Sequence, residues 1–324
     1  MTVVVISTGG TIASTEDSGG DARPELTGED LVAAVPGLED VAAVETHDFS
    51  TVPSPHFSID QLFELVGVIR EYDADPSVEG VVVTQGTDIL EESSYFVDCC
   101  YDGETPVVFT GAMRNPSLPS PDGPINLLNS VRTAVDHRAA AAGTLLVFND
   151  RIHAAREVTK THTMNADTFR SPEFGPLGAV DEERVTWRRA PADSEPTLDP
   201  DPDALTNDVH AVTVTADMPP VQIEAAAESA ALCLAATGAG HVPETILEPL
   251  AALRDAGVPL VATSRCPEGR LARHTYDFPG SERTLREELG FLFSDLNLQK
   301  TRIRTIVALA ADDLERAFAS SSAG

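Results

Sequence analysis

Four side chains carry the chemistry this sequence could perform. Thr11 follows the glycine pair Gly9-Gly10, Thr87-Asp88 follows Gly86, and Lys160 stands in a polar stretch of a chain whose only other lysine is Lys300. A threonine hydroxyl is a poor nucleophile at neutral pH and needs a partner to take its proton. A lysine held beside a carboxylate and partly withdrawn from water can be tuned toward that task. Backbone N–H groups around Gly10 and Gly86 would stabilise an oxyanion. Together these groups point to acyl transfer from an amide or ester through an acyl-threonine. Each also has a plainer reading by itself. Thr87 or Asp88 caps the helix that follows, Lys160 is a solvated surface lysine, Ser54 is a loop hydroxyl, and Asp122, before Gly123-Pro124, is a helix cap. Only convergence in space separates the two sets of readings.

The elements that must position these groups are legible as alternating patterns. Val81 to Val83 is a β-branched run suited to a parallel strand buried on both faces, and it ends abruptly at Gln85-Gly86. Ile89, Ser93, Phe96, Val97 and Cys100 then lie at helical spacing. Strand, tight turn and helix put Thr87-Asp88 outside the carboxyl end of a strand, where open α/β sheets bind ligands. The opening run, Thr2 to Ser7, repeats this logic before Thr11. Residues 14–26 are rich in Gly, Ser, Asp and Pro without periodicity, and read as a mobile loop or lid over that turn. Thr27 to Asp30 resembles a capping box opening a helix that Pro36-Gly37 ends.

Further strands are expected near Val41 to Phe49, Pro106 to Thr110 and Gly143 to Phe148, with helices from Ser58 to about Glu71 and through Leu127 to Val135. Asn149 opens a polar segment that runs to Met164 and carries Lys160. With right-handed crossovers this is an α/β fold, a doubly wound, mainly parallel sheet over residues 1–189. An acidic, Pro-rich stretch, 190–208, reads as a linker. Strands at Val209 to Val214, Ala231 to Ala236 and Val258 to Thr263, with a last helix from Asn297 to Phe318, give a second, smaller α/β domain over 209–324. If the strands preceding Thr11, Thr87 and Lys160 all run parallel, their carboxyl-end turns share one crevice.

Composition narrows the partners. Acidic residues number 52 against 22 basic ones, a net charge of −30, so a field of this sign repels nucleic acid and anionic membrane surfaces. A dense acidic surface almost without lysine is expected of a protein adapted to high salt, where self-repulsion is screened. No apolar stretch approaches the ~20 residues that span a bilayer, and the first residues lack a basic n-region and cleavage site; a cytoplasmic protein is expected. The four cysteines show neither metal spacing nor a disulfide framework, so free thiols and no metal are expected.

The motifs Thr8-Gly-Gly-Thr-Ile-Ala13, Thr84-Gln-Gly-Thr-Asp-Ile-Leu-Glu-Glu92, Thr110-Gly-Ala-Met-Arg114, Asp122-Gly-Pro124 with Asn126-Leu127, Asn149-Asp150, Val158-Thr-Lys-Thr161 and Phe174-Gly-Pro-Leu-Gly178 resemble the bacterial-type L-asparaginase family in order and spacing. The resemblance implies an amidohydrolase converting L-asparagine to L-aspartate and ammonia, without a cofactor and as a homotetramer or homodimer. It implies that Thr11 is the usual nucleophile and that Thr87, Asp88 and Lys160 form the activating group. Ser54 would hold the substrate's α-carboxylate, with Gly86 and Ala112 lining the pocket.

The sequence departs from the pattern at four places. No tyrosine lies between Thr11 and Thr27, Gln85 stands where a histidine is common, Pro55 where a glutamine often follows the serine, and residues 238–242 hold His241 but no asparagine. Without the loop tyrosine, more of the chemistry falls to Thr87. Two other readings compete: the amidase subunit of a tRNA-dependent amidotransferase, which shares these motifs but carries an extra amino-terminal domain, and a catalytically silent amino-acid-binding homologue. A nucleotide-binding sheet is weaker, because Thr8-Gly-Gly-Thr11 lacks the three-glycine fingerprint.

Overall fold

The computed structural model describes residues 2–16, 22–24, 26–192 and 195–319, and divides into two compact units, Met1–Ser194 and Glu195–Gly324. In the first unit, strand β1 (Thr2–Ser7) is followed by a 3-10 turn at Thr11–Ala13 and by a short antiparallel pair, β2 (Ser14–Glu16) and β3 (Ala22–Pro24). The expectation of irregular chain over 14–26 is therefore corrected at its two ends: backbone pairing of Ser14 with Pro24 and Glu16 with Ala22 makes a hairpin. Residues 17–21 and 25, on which the lid reading also falls, lie outside the described residues. Helix α1 (Gly28–Ala33) opens on the expected capping box, with Thr27 and Asp30 bonding reciprocally.

Next come β4 (Ala43–Asp48), α2 (Ile59–Asp73), β5 (Val78–Thr84), α3 (Leu90–Cys100), β6 (Val107–Thr110), α4 (Gly123–Ala134) and β7 (Leu145–Phe148). Strands β8 (Arg151–Ala154), β9 (Thr159–Lys160), β10 (Phe169–Arg170), β11 (Gly178–Asp181) and β12 (Arg184–Trp187) complete the unit. The main sheet has the order β12-β11-β8-β7-β6-β5-β1-β4, with β4 through β7 in that list all parallel. The chain steps from β1 outward to β4, then crosses to β5 on the other side of β1. Strand order therefore reverses between β1 and β5. Ser7 pairs with Thr84 there, so the turns carrying Thr11 and Thr87 leave neighbouring strand ends, at the position where a doubly wound sheet opens a ligand crevice.

These two strands take interior places in the sheet because they are valine-rich and fully buried: Val3, Val4, Val5, Val81, Val82 and Val83 have no exposed surface. Val3, Val5, Val82, Val108, Leu145 and Val147 face Leu31, Leu127 and Val131, the apolar stripes of α1 and α4.

Beyond β7 the expectation of a polar segment fails. Asn149 and Asp150, both with positive φ (49° and 61°), form a two-residue turn, and β8 returns antiparallel to β7. Paired positive-φ residues match the right-handed twist of a hairpin, and Asn and Asp tolerate that conformation. Lys160 thus does not follow a strand parallel to β1 and β5. It reaches the crevice on β9, which pairs with β10 through Lys160 and Phe169, after the chain has run back along β8.

The second unit is a four-stranded parallel sheet in the order β13 (Val209–Thr213), β14 (Ala231–Ala236), β15 (Leu260–Ser264), β16 (Leu292–Phe293). Helices α5 (Val221–Glu224) and α6 (Leu247–Asp255) connect strands, and α7 (Leu298–Ala310) and α8 (Leu314–Ala317) close the unit. The single last helix expected from Asn297 to Phe318 is two helices, broken where Asp312 takes a positive φ of 50°. Arg304 on α7 is buried, pairs with Glu195 at 3.3 Å and donates to the carbonyls of Ala317 and Pro196. Cys233 is equally buried, which pushes its thiol up to about 12 and makes it an inert core group. Cys99, Cys100, Cys233 and Cys266 are all free. No helix among the described residues is long and apolar enough to cross a membrane.

Candidate active site

Two turns are pressed together by the absence of side chains. Gly10 has φ +92°, and a Cβ on it would lie 2.2 Å from the Gly86 nitrogen; a Cβ on Gly86 would lie 2.6 Å from the Ser54 hydroxyl. Glycine is required at both positions, in the first case for its conformation as well as its size. Below the contact, the Thr8 backbone N–H and hydroxyl both donate to the Thr84 carbonyl, at 3.0 and 2.9 Å, which ties the two strand ends together.

Thr87 and Asp88 do not cap α3. The residue preceding the helix is Ile89, and no side chain caps its first turn. Instead Lys160 Nζ donates to Thr87 Oγ1 and to Asp88 Oδ1, each at 2.8 Å. The plain reading of Lys160 fails with it, since the lysine side chain is only 16% exposed although its carboxylate partner is 62% exposed. Thr87 is 6% exposed, so the hydroxyl–ammonium contact is sheltered while the carboxylate faces the open cleft. The Lys160 backbone N–H donates in turn to Glu91 Oε2 at 2.8 Å.

A cleft of about 410 Å³ joins these groups. Gly10, Thr11, Ser54, Gly86, Thr87, Asp88, Ala112 and Lys160 all line it, so every residue singled out for site chemistry meets in one place. Ser54 opens a single 3-10 turn and is 4% exposed. The hydroxyls of Thr11 and Ser54 have no hydrogen-bond partner among the described residues, and neither do the backbone N–H groups of Gly86 and Thr87. A substrate therefore meets two unengaged hydroxyls, two N–H donors, a carboxylate and an ammonium. Pro53, Pro55, Met113, Leu118 and Met164 add apolar wall, interrupted by Ser14, Asn115 and Thr163. Among the described residues no group of three or more His, Cys, Asp or Glu side chains is placed to hold a metal.

Asp122 precedes α4 but its carboxylate does not cap it. It accepts from the N–H groups of Met113 and Arg114 and from Asn126 Nδ2, while Asn126 Nδ2 also donates to the Gly111 carbonyl and Asn126 Oδ1 accepts from Asn149 N–H. These two side chains fold the Gly111–Arg114 turn so that Ala112 lines the cleft. A cap and a turn-binding carboxylate look identical in sequence. Glu91, also unassigned from sequence, has helical spacing that makes it an ordinary first-turn acid; only the tertiary fold brings it to Lys160. Gln85 is fully buried, and neither of its amide atoms finds a partner among the described residues.

The chain matches the model of the family described as asparaginase, N-terminal, over residues 2–193, and that of the glutaminase/asparaginase C-terminal domain over 208–319. The chain belongs to the asparaginase family. It is 33% identical to the L-asparaginase of Bacillus licheniformis, across 95% of both chains. With L-asparaginase 2 of Escherichia coli it shares 32% identity over 95% of this chain and 88% of that protein. With the glutaminase-asparaginase of Pseudomonas aeruginosa the identity is 31%, over 98% and 89%. Its fold superposes on a crystal structure of a probable cytoplasmic L-asparaginase from Campylobacter jejuni with a TM-score of 0.85, at 30% identity, covering 97% of this chain and 98% of that one. The asparaginase architecture and the mainly parallel large sheet are thus shared along the whole chain.

Proposed function

We propose that this asparaginase hydrolyses the side-chain amide of L-asparagine to L-aspartate and ammonia through an acyl-threonine. The observation that carries the reading is the pair of 2.8 Å contacts from Lys160 Nζ to Thr87 Oγ1 and Asp88 Oδ1, in a cleft that also holds Thr11. As the neutral amine, Lys160 takes the Thr87 proton; as the ammonium, it returns one to the leaving nitrogen. Asp88 holds the cation in place. The attacking oxygen adds to the amide carbon, the tetrahedral oxyanion is met by backbone N–H groups of the Gly86 turn, and ammonia departs. Water, activated by the same amine, then cleaves the ester. Two hydroxyls can be acylated. Contact with the base supports Thr87, and the resemblance supports Thr11. Ser54 binds the substrate's α-carboxylate.

Ammonia release measured with L-asparagine, D-asparagine and L-glutamine at molar salt tests the substrate. L-asparagine is expected to be fastest; equal rates on all three would defeat the assignment. Acyl-enzyme trapped at low temperature and located by peptide mass spectrometry identifies the threonine. We further place the protein in the cytoplasm, in agreement with its structural neighbour's description, and in a salt-rich one, on the strength of its −30 charge. Its melting temperature is then expected to rise between dilute buffer and molar potassium chloride, and a flat response would count against salt adaptation. Self-association as a homodimer or homotetramer is supported by the family resemblance, and light scattering measures it.

A further inference from the structure

Lys160 arrives at the site on an insecure support. Strand β9 is two residues long; it pairs with the two residues of β10, and the ladder runs on for one more step, from the Thr161 N–H to the Thr168 carbonyl. A pairing this short specifies register weakly. Yet Nζ must sit within hydrogen-bond reach of a hydroxyl that lies 73 residues earlier in the chain. The other partner in that contact is firmly held: Thr87 and Asp88 lead directly into α3, whose residues Leu90, Tyr95, Phe96 and Val97 are completely buried.

One side chain spans the gap between the firm element and the weak one. Glu91, in the first turn of α3 and 5% exposed, accepts the Lys160 backbone N–H at Oε2, 2.8 Å away. Burial shields this bond from competition by water. Its reach is set by the two methylenes of glutamate.

We propose that Glu91 is a positioning residue for the hydrolytic reaction, fixing Lys160 to the helix into which Thr87 and Asp88 lead, so that base, hydroxyl and carboxylate form one rigid group. This rests on the assignment of Lys160 as the base. Glu91 touches no substrate and acts through the placement of Nζ. Its role depends on where an oxygen sits, not on negative charge at the helix start.

Two conservative variants separate those possibilities. Glu91→Gln keeps an acceptor oxygen at the same reach and removes the charge; Glu91→Asp keeps the charge and withdraws the oxygen by one methylene. Displacing a reacting group by about 1 Å costs on the order of 100-fold, so Glu91→Asp is expected to lower kcat about 30- to 100-fold with KM for L-asparagine changed less than about threefold, while Glu91→Gln stays within about threefold of wild type. The reverse pattern, an active Asp variant and an impaired Gln variant, would overturn the proposal in favour of a charge effect. Equal activity in all three would overturn it too. Lys160→Met is assayed beside them. If that variant retains activity, the base assignment itself has failed; if it is inactive while Glu91→Asp is unimpaired, only the positioning role has failed.

A second measurement needs no active-site variant to fold. Because the chain has two lysines, 15N-lysine labelling gives two amide signals, Lys160 and Lys300. The wild-type Lys160 amide is expected to exchange slowly with deuterium, at a rate at least about tenfold below that of an open strand edge. Rapid exchange would mean that the bond to Glu91 is not formed in solution, which also overturns the proposal.

Discussion

The two units are built from the same material and put it to different uses. One sheet is mainly parallel and the other wholly so, and in both the carboxyl-end turns are rich in hydroxyls and glycine. In the second unit those hydroxyls are consumed by the backbone: Thr237 donates to the His241 carbonyl, Ser264 to that of Gly238 and Thr263 to that of Leu296. In the first unit Thr8 and Thr110 do the same, whereas Thr11, Thr87 and Ser54 do not. The difference follows topology. Strands β13 to β16 are laid down in one direction without reversal, so no two adjacent turns diverge. The first sheet reverses between β1 and β5, and the turns that part there leave a crevice. The two lysines mirror the contrast. Lys160 presents its ammonium to a hydroxyl and a carboxylate in a cleft, and Lys300 is 1% exposed within α7.

The contrast can be broken most sharply at the crevice. Thr87→Ala and Lys160→Met are each expected to lower kcat by about 10³-fold or more while leaving the melting temperature within a few degrees of wild type, because hydroxyl and base act together in the transition state. Steady-state ammonia release with a thermal melt checks both. Gly10→Ala is expected to damage activity and stability together, by about 3 kcal/mol, since it forces a Cβ against Gly86 at a positive φ.

In the second unit the large effects fall on stability alone. Arg304→Met removes the guanidinium that pairs with Glu195 and is expected to cost about 3 kcal/mol of unfolding free energy in urea titrations. The smallest effect concerns Glu282, fully buried beside His241 at 3.4 Å. Burial would raise its carboxyl pKa, but the N–H groups of Tyr276, Thr275 and Glu282 itself, together with His241, outweigh that and hold it below the usual glutamate range. A depressed folded-state pKa contributes stability that is present above the unfolded value and lost as pH falls through the folded one. Melting temperature measured between pH 6 and pH 3 is therefore expected to fall less steeply in Glu282→Gln than in wild type.

Much of the fold was legible because it is written locally. Val81 to Val83 could only be a buried strand, Thr27 with Asp30 a helix start, and Gly9-Gly10 and Gly86 turns in which no Cβ fits. The hairpin at Asn149-Asp150 carried a signal as well, two residues that tolerate positive φ between apolar runs, and it was overshadowed by the polar stretch that follows. What the sequence determined alone was the inventory: two threonines, a carboxylate and a lysine after strand ends, in motifs shared with asparaginases, on an acidic chain. It did not determine which of them cap and which react. Thr87, Asp88 and Asp122 all read as helix caps, and none caps. Capping is decided within four residues, whereas the contacts that decide these side chains' roles reach 8 residues for Asp122 with Arg114 and 73 for Thr87 with Lys160. Only the tertiary structure could bring an ammonium to Thr87, because its path there runs through an antiparallel return and a two-residue strand that no local pattern announces.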